Sequence, residues 1–287
     1  MEARFGRNLS RRGSSALDVT PAAAGGGSRE EEHDPRPDEG SETVVDTAMN
    51  EKALAGVPES MRNPLRDYAG LVRQLAAGNL AGLTLFGEVL GPEFEASRAP
   101  ASSVLVLERI DLALLRRLAE YGPDLGKRRI AAPLIMTPQY VKASLDTFPL
   151  ELLEIHQRHA TVCGGDEFAE LTFQPEHIRL QCERELKRTS IHLRHALLAA
   201  AGREKMLGEA VVEAGHHLLR TLRGLVWLRG TKEWQPADAT LTAIEKLAGQ
   251  TLGGVRGAVH PHGQHGWADF EALYQDVERL AGVADEL

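Results

Sequence analysis

Leu80-Ala81-Gly82-Leu83-Thr84-Leu85-Phe86-Gly87-Glu88 and, after eleven residues, Pro100-Ala101-Ser102-Ser103-Val104-Leu105-Val106-Leu107 decide how this chain is read. Leu80–Phe86 is a short apolar run that stops at a glycine, and Ser103–Leu107 is continuously apolar. Runs of this length, rich in Leu and Val, predict strands covered on both faces. Upstream, Pro58-Glu59-Ser60 opens a helix in which Leu65, Tyr68, Leu71, Val72 and Leu75 recur at helical spacing, with Gly78 as its stop. Downstream, a helix is expected between Asp111 and Tyr121, and a third strand over Pro133–Met136. Thr137-Pro138 should cap a further helix. Phe148 to Ile155 reads as a fourth strand.

After Pro175 the pattern changes to helices alone. Ile178, Cys182, Leu186, Thr189, Leu193 and Leu197 form one stripe, and Leu207, Val211, Ala214, Leu218 and Leu222 form the next. Helices are expected over 237–248 and 267–285, the last carrying Phe270, Leu273, Val277, Leu280 and Ala284. Between them, Gly253, Gly254, Gly257, Gly263 and Gly266 suggest a loose loop. The fold class is therefore α/β followed by α, an α/β domain over 51–174 and an antiparallel helical bundle over 175–287.

Residues 1–50 differ in kind. They hold six basic and ten acidic residues and few large apolar ones, so a disordered tail is expected there, with Met49 as an alternative start. The whole chain has 287 residues, 43% hydrophobic and 26% charged, with a net charge of −8. That balance argues against a general nucleic-acid or anionic-membrane surface. The first residues lead into no apolar core of a secretory signal, and two cysteines make no disulfide framework, so a cytoplasmic location is expected. No Gly-x-Ser-x-Gly, His-Glu-x-x-His, Walker-type or zinc-type cysteine motif is present.

The Leu83–Glu88 turn, its distance from the Pro100–Leu107 segment and the following helices resemble the nucleotidyltransferase superfamily, in its minimal and kanamycin-nucleotidyltransferase-like forms. The resemblance covers residues 60–287. It implies an apolar strand ending in Gly-Ser, then an Asp-apolar-Asp/Glu motif on the next strand, a third carboxylate later, and a helical bundle. In such a site two Mg²⁺ ions held by carboxylates stabilise the attacking and leaving oxygens of nucleotidyl transfer.

This chain departs from that pattern at each of those places. Glu88 stands where the serine belongs. Pro100 and Ser102, or Ala101 and Ser103 one residue later, stand where the metal carboxylates belong, and no Asp or Glu lies between Arg98 and Leu107. Gly87, Glu88, Ser102 and Ser103 are thus the candidate nucleotide-binding loop in vestigial form. Glu151 and Glu154 are the candidate metal ligands that remain; Glu108 lies at the far end of its strand. No catalytic residue is assigned, and Mg²⁺ is implied only if the site is active.

Other residues offer chemistry as well. Arg184, Lys187 and Arg188 could line a basic cleft, although Glu183–Arg188 also reads as a solvated helix face. Arg188 and His195 have the spacing of an Arg-His ribonuclease element, and His192, His216 and His217 are ordinary helix-face histidines. His260-Pro261-His262-Gly263-Gln264-His265 could bind metal adventitiously. Cys163 reads as a small buried apolar residue.

Three functions follow as expectations. The first is a nucleotidyltransferase-like protein without two-metal catalysis, binding a nucleotide or a partner protein as a regulatory module. The second is a Mg²⁺-dependent enzyme that moves a nucleoside monophosphate to a hydroxyl acceptor through a divergent metal site. The third is an unrelated α/β scaffold. The sequence shows no membrane segment and no strong nucleic-acid signal, and it sets no oligomeric state.

Overall fold

The computed structural model describes residues 48–287 apart from 93 and 98, so the expected tail over 1–50 lies almost wholly outside the described residues. The folded part starts earlier than the sequence pattern suggested. Met49 bridges to Cys163, Asn50 N–H donates to the Val162 carbonyl at 2.7 Å, and Leu54 and Val57 are buried ahead of Pro58.

Helix α1 spans Glu59–Leu75 and buries Met61, Leu65, Tyr68, Ala69 and Val72; of the expected stripe, Leu71 and Leu75 are only half-buried. Strands β1 (Leu80–Phe86) and β2 (Ser102–Leu107) pair antiparallel, with Phe86 opposite Ser102 and Leu80 opposite Leu107. Helices α2 (Leu112–Ala119) and α3 (Gly122–Lys127) lead to β3 (Leu134–Met136), which pairs parallel with β2. Thr137 caps α4 (Pro138–Ala143) by accepting the Tyr140 N–H at 3.1 Å. The fourth strand, β4 (His159–Gly164), pairs antiparallel with β1 and completes a mixed sheet in the order β3-β2-β1-β4.

Phe148–Ile155 is not that strand. Pro149–Gln157 forms helix α5, with Pro149 at its first turn. The segment misleads because Leu150, Leu152, Leu153 and Ile155 are all buried, and a short apolar run has no period to distinguish helix from strand. Leu152 and Ile155 pack on the sheet with Val104 and Val106, whereas Leu150 and Leu153 join the core of the helical bundle. A helix can serve two cores on opposite sides while its remaining face presents Glu151 and Glu154 elsewhere. The strand signal lay a few residues on, in His159–Gly164.

The bundle contains α6 (Pro175–Ala200), α7 (Glu204–Leu228), α8 (Ala237–Ala248), α9 (Gly253–Val259) and α10 (Trp267–Asp285). The predicted residues of α10, Phe270 to Ala284, are buried as read. Helix α9 corrects the loose loop expected from its glycines. Asp276 on α10, itself buried, accepts the N–H groups of Gly254 at 2.8 Å and Val255 at 3.2 Å, so a tertiary carboxylate caps a sequence of poor helix propensity. Of the segment that holds those glycines, His260–Gly266 remains as a connecting loop. The observed class is α/β followed by α, as expected. Among the described residues no helix is long and apolar enough to cross a membrane.

Candidate functional site

The end of β1, the start of β2, α5 and α7 converge on one cleft. Gly87, at φ +75°, turns the chain from β1 into a single 3-10 turn, Gly87–Leu90, and its N–H donates to the Arg158 carbonyl at 2.9 Å. That backbone conformation is strained for any residue with a Cβ and presents Glu88 at the cleft. Phe86, Gly87, Glu88, Ser102 and Glu154 line one compartment of about 200 Å³ together with His216, Arg220 and Arg223 of α7. A larger compartment of about 650 Å³ shares Glu88, Phe94 and His216 and adds Trp234, His260 and His262.

Charges alternate across the cleft. Gln181 donates to Glu151 at 2.9 Å, and Arg220 Nη1 donates to the other oxygen of Glu151 at 3.0 Å. Arg220 Nε reaches Glu154 at 2.8 Å, and Arg223 Nη1 reaches the second oxygen of Glu154 at 3.1 Å. Arg223 Nε donates to the Gln235 carbonyl at 3.1 Å, which leaves Nη2 with Glu88 at 3.6 Å, an ion pair too long for a hydrogen bond. Burial is deepest at Arg223, whose side chain is 6% exposed, and least at Glu88, at 45%.

The two arginines respond differently to this setting. For Arg223, burial is the largest influence and lowers its pKa, with Glu154 and Glu88 only partly offsetting it. Burial also opposes the charge of Arg220, but Glu154 and Glu151 together outweigh it and the pKa is raised. Beside them, the guanidinium carbons of Arg158 and Arg223 lie 3.9 Å and 4.7 Å from the Trp234 ring centre. Arg223 Nη2 and Trp234 Nε1 are both buried donors without a hydrogen-bond partner.

The sequence-derived residues fall into three groups. Gly87, Glu88, Ser102, Glu151 and Glu154 come together, Glu151 through its bond to Arg220. Ser103 faces the other side of the sheet, where its hydroxyl is 3.2 Å from that of buried Tyr68, because β2 alternates its side chains. Arg184, Lys187 and Arg188 are exposed on α6, and none lines either compartment; Lys187 pairs with Glu183 and Asp285. His192, His195 and His217 are exposed, His260 lies 3.2 Å from Asp238, and burial raises the pKa of the Cys163 thiol.

The residues missed from sequence were Arg220, Arg223, Gln181 and Trp234. A signal for the arginines was present: they interrupt the apolar run Leu218–Leu225, where long charged side chains are rare unless paired.

The Mg²⁺ ions that the resemblance implies do not fit these residues. Glu88, Glu151 and Glu154 each already pair with an arginine, and the chain entering β2 brings Pro100 and Ser102 to the rim rather than acids. Among the described residues no group of three His, Cys, Asp or Glu side chains is placed to hold a metal.

No protein-family model matches the chain, and no curated protein matches it. In structure it is similar to spectinomycin adenyltransferase AAD(9) from Enterococcus faecialis, crystallised with ATP and spectinomycin. The two share 9% identity over 78% of this chain and 98% of that one, with a TM-score of 0.49.

Proposed function

We propose that this chain is a binding module on a nucleotidyltransferase-like frame, one that takes a nucleotide into the cleft beside Gly87 and does not transfer it. The observation that carries this reading is the series Glu151–Arg220–Glu154–Arg223–Glu88. A dication could recruit these carboxylates only by breaking their pairs, and that would leave a buried guanidinium uncompensated, which is costly. Among the described residues this pairing argues against the acidic cage that two-metal transfer requires.

Support for a nucleotide comes from the neighbouring compartment, which Glu88 also lines. A compartment of about 650 Å³ is within the usual range for a small-molecule site, and Phe94 and Trp234 supply apolar, stackable walls. Arg223 and Trp234 add donors that suit a phosphate oxygen.

Calorimetric titration of the full chain with ATP, GTP, CTP and UTP, each with Mg²⁺ and with a chelator, tests the reading. Binding of at least one nucleotide, not improved by Mg²⁺, is expected. Binding that strengthens about tenfold or more with Mg²⁺ would restore the metal-dependent enzyme, and no binding in any condition would remove the nucleotide.

A further inference from the structure

Arg223 is fixed on three sides and open on one. Its Nε and Nη1 are held by Gln235 and Glu154, its side chain is 94% buried, and Nη2 has no hydrogen-bond partner. Trp234 Nε1, on the ring against which this guanidinium lies, is a second buried donor in the same condition. Each is a buried donor with no acceptor, on two side chains that pack together, and such a donor binds an acceptor oxygen strongly once one is admitted. What stands nearest to Nη2 is Glu88, 3.6 Å away and almost half exposed on its 3-10 turn.

The charges explain why that position matters. Without Glu88, the two glutamates of α5, the two arginines of α7 and Arg158 against the Trp234 ring sum to +1, which favours an incoming anion. Glu88 cancels that charge, and the anion's place beside Nη2 is contested by a carboxylate of the chain itself.

We infer that Glu88 is a built-in competitor at an oxyanion subsite formed by Arg223 Nη2 and Trp234 Nε1, and that an oxyanion such as a phosphate group enters only as Glu88 swings toward solvent. The inference rests on the nucleotide-binding reading for its biological ligand, but not for its chemistry. Glu88 is exposed enough to move, and the pair it gives up exceeds hydrogen-bond length, so the exchange replaces a loose ion pair with a charge-assisted hydrogen bond. It sets affinity without touching the fold.

The test compares wild type, E88Q and E88A, using inorganic phosphate as the probe in calorimetry and thermal melts, with ATP in chelator run alongside. E88A should bind phosphate about tenfold more tightly than wild type or better, since a like charge is removed from the subsite. E88Q should fall between, because its amide oxygen still competes as an acceptor. Phosphate should raise the melting temperature of E88A more than that of wild type, and the gain should shrink in E88A/W234F. If wild type binds ATP while both Glu88 variants keep its phosphate affinity, the competitor is refuted and the binding reading stands. If E88A binds phosphate while wild type binds no nucleotide, the subsite stands and the nucleotide reading falls. Silence from every protein refutes both, and a gain fully kept in E88A/W234F places the oxyanion elsewhere.

Discussion

Helices α6 and α7 carry the same kind of cation in opposite settings. On α6, Arg184, Lys187 and Arg188 sit in a stretch of mixed charge, Glu183-Arg184-Glu185-Leu186-Lys187-Arg188, and all three are exposed. The acids needed to satisfy such cations lie within a turn: Glu183 pairs with both Arg179 and Lys187. On α7, Arg220 and Arg223 stand in Leu218-Leu219-Arg220-Thr221-Leu222-Arg223-Gly224-Leu225, which offers no acid. Their partners must come from another element, and they come from α5 and from the turn after β1. A cation with a local acid is satisfied on its own helix, even where Lys187 also reaches Asp285 of α10; a cation without one must tie elements together.

The sharpest way to break this comparison is to remove the most buried member. R223M should keep the volume and lose the charge, leaving Glu154 with one arginine and Glu88 with none. Losing one partner of a buried ion pair costs about 3–5 kcal/mol. Urea denaturation of the variant should show a loss of that order. A loss below about 1 kcal/mol would mean that the network is loose and that α7 differs from α6 only in appearance.

Steric tolerance should follow the same division between a helix inside the core and one at its edge. A Cβ on Gly215 of α7 would sit 1.9 Å from the Ala258 carbonyl oxygen of α9, a backbone atom that cannot rotate away. G215A is therefore expected to cost about 1–3 kcal/mol or more, as overpacking does. Gly282 on α10 has nothing within 4 Å of its Cβ position, so G282A should be neutral or stabilise the helix slightly. Thermal denaturation of the pair measures the difference directly. Equal melting temperatures would show that α9 shifts freely and that its approach to α7 fixes nothing.

How much of this was legible follows from how local each signal was. The strands Leu80–Phe86 and Ser102–Leu107, the helix α1 with Leu65, Tyr68 and Val72 of its stripe, and the core residues of α10 depend on pattern within one element, and the sequence shows them. Phe148–Ile155 was misread because two cores claim it, so its apolar residues carry no single period. Gly253–Val259 was misread because the carboxylate that caps it belongs to Asp276, more than twenty residues later. In the cleft, Gly87, Glu88 and Ser102 were placed from one motif-like spacing. Arg220 and Arg223 were passed over in favour of Arg184, Lys187 and Arg188, since a run of basic residues attracts attention and a lone arginine among leucines does not.

The smallest effect bears most directly on that misreading. Arg184 and Arg188 are exposed, make no hydrogen bond or ion pair with other described residues, and line neither compartment of the cleft. R184A and R188A, singly and together, should change stability by no more than about 0.5 kcal/mol, the usual range for surface substitutions. They should also leave nucleotide and phosphate affinity within about twofold of wild type, because solvent and salt screen exposed charges over distances of about 10 Å. The same titrations that score Glu88 measure this. A drop in affinity of about tenfold in the double variant would put the ligand on α6 after all. In that case the ion-pair network of α7 would be a strut between α5 and the bundle, and the paired carboxylates would say nothing about ligand binding.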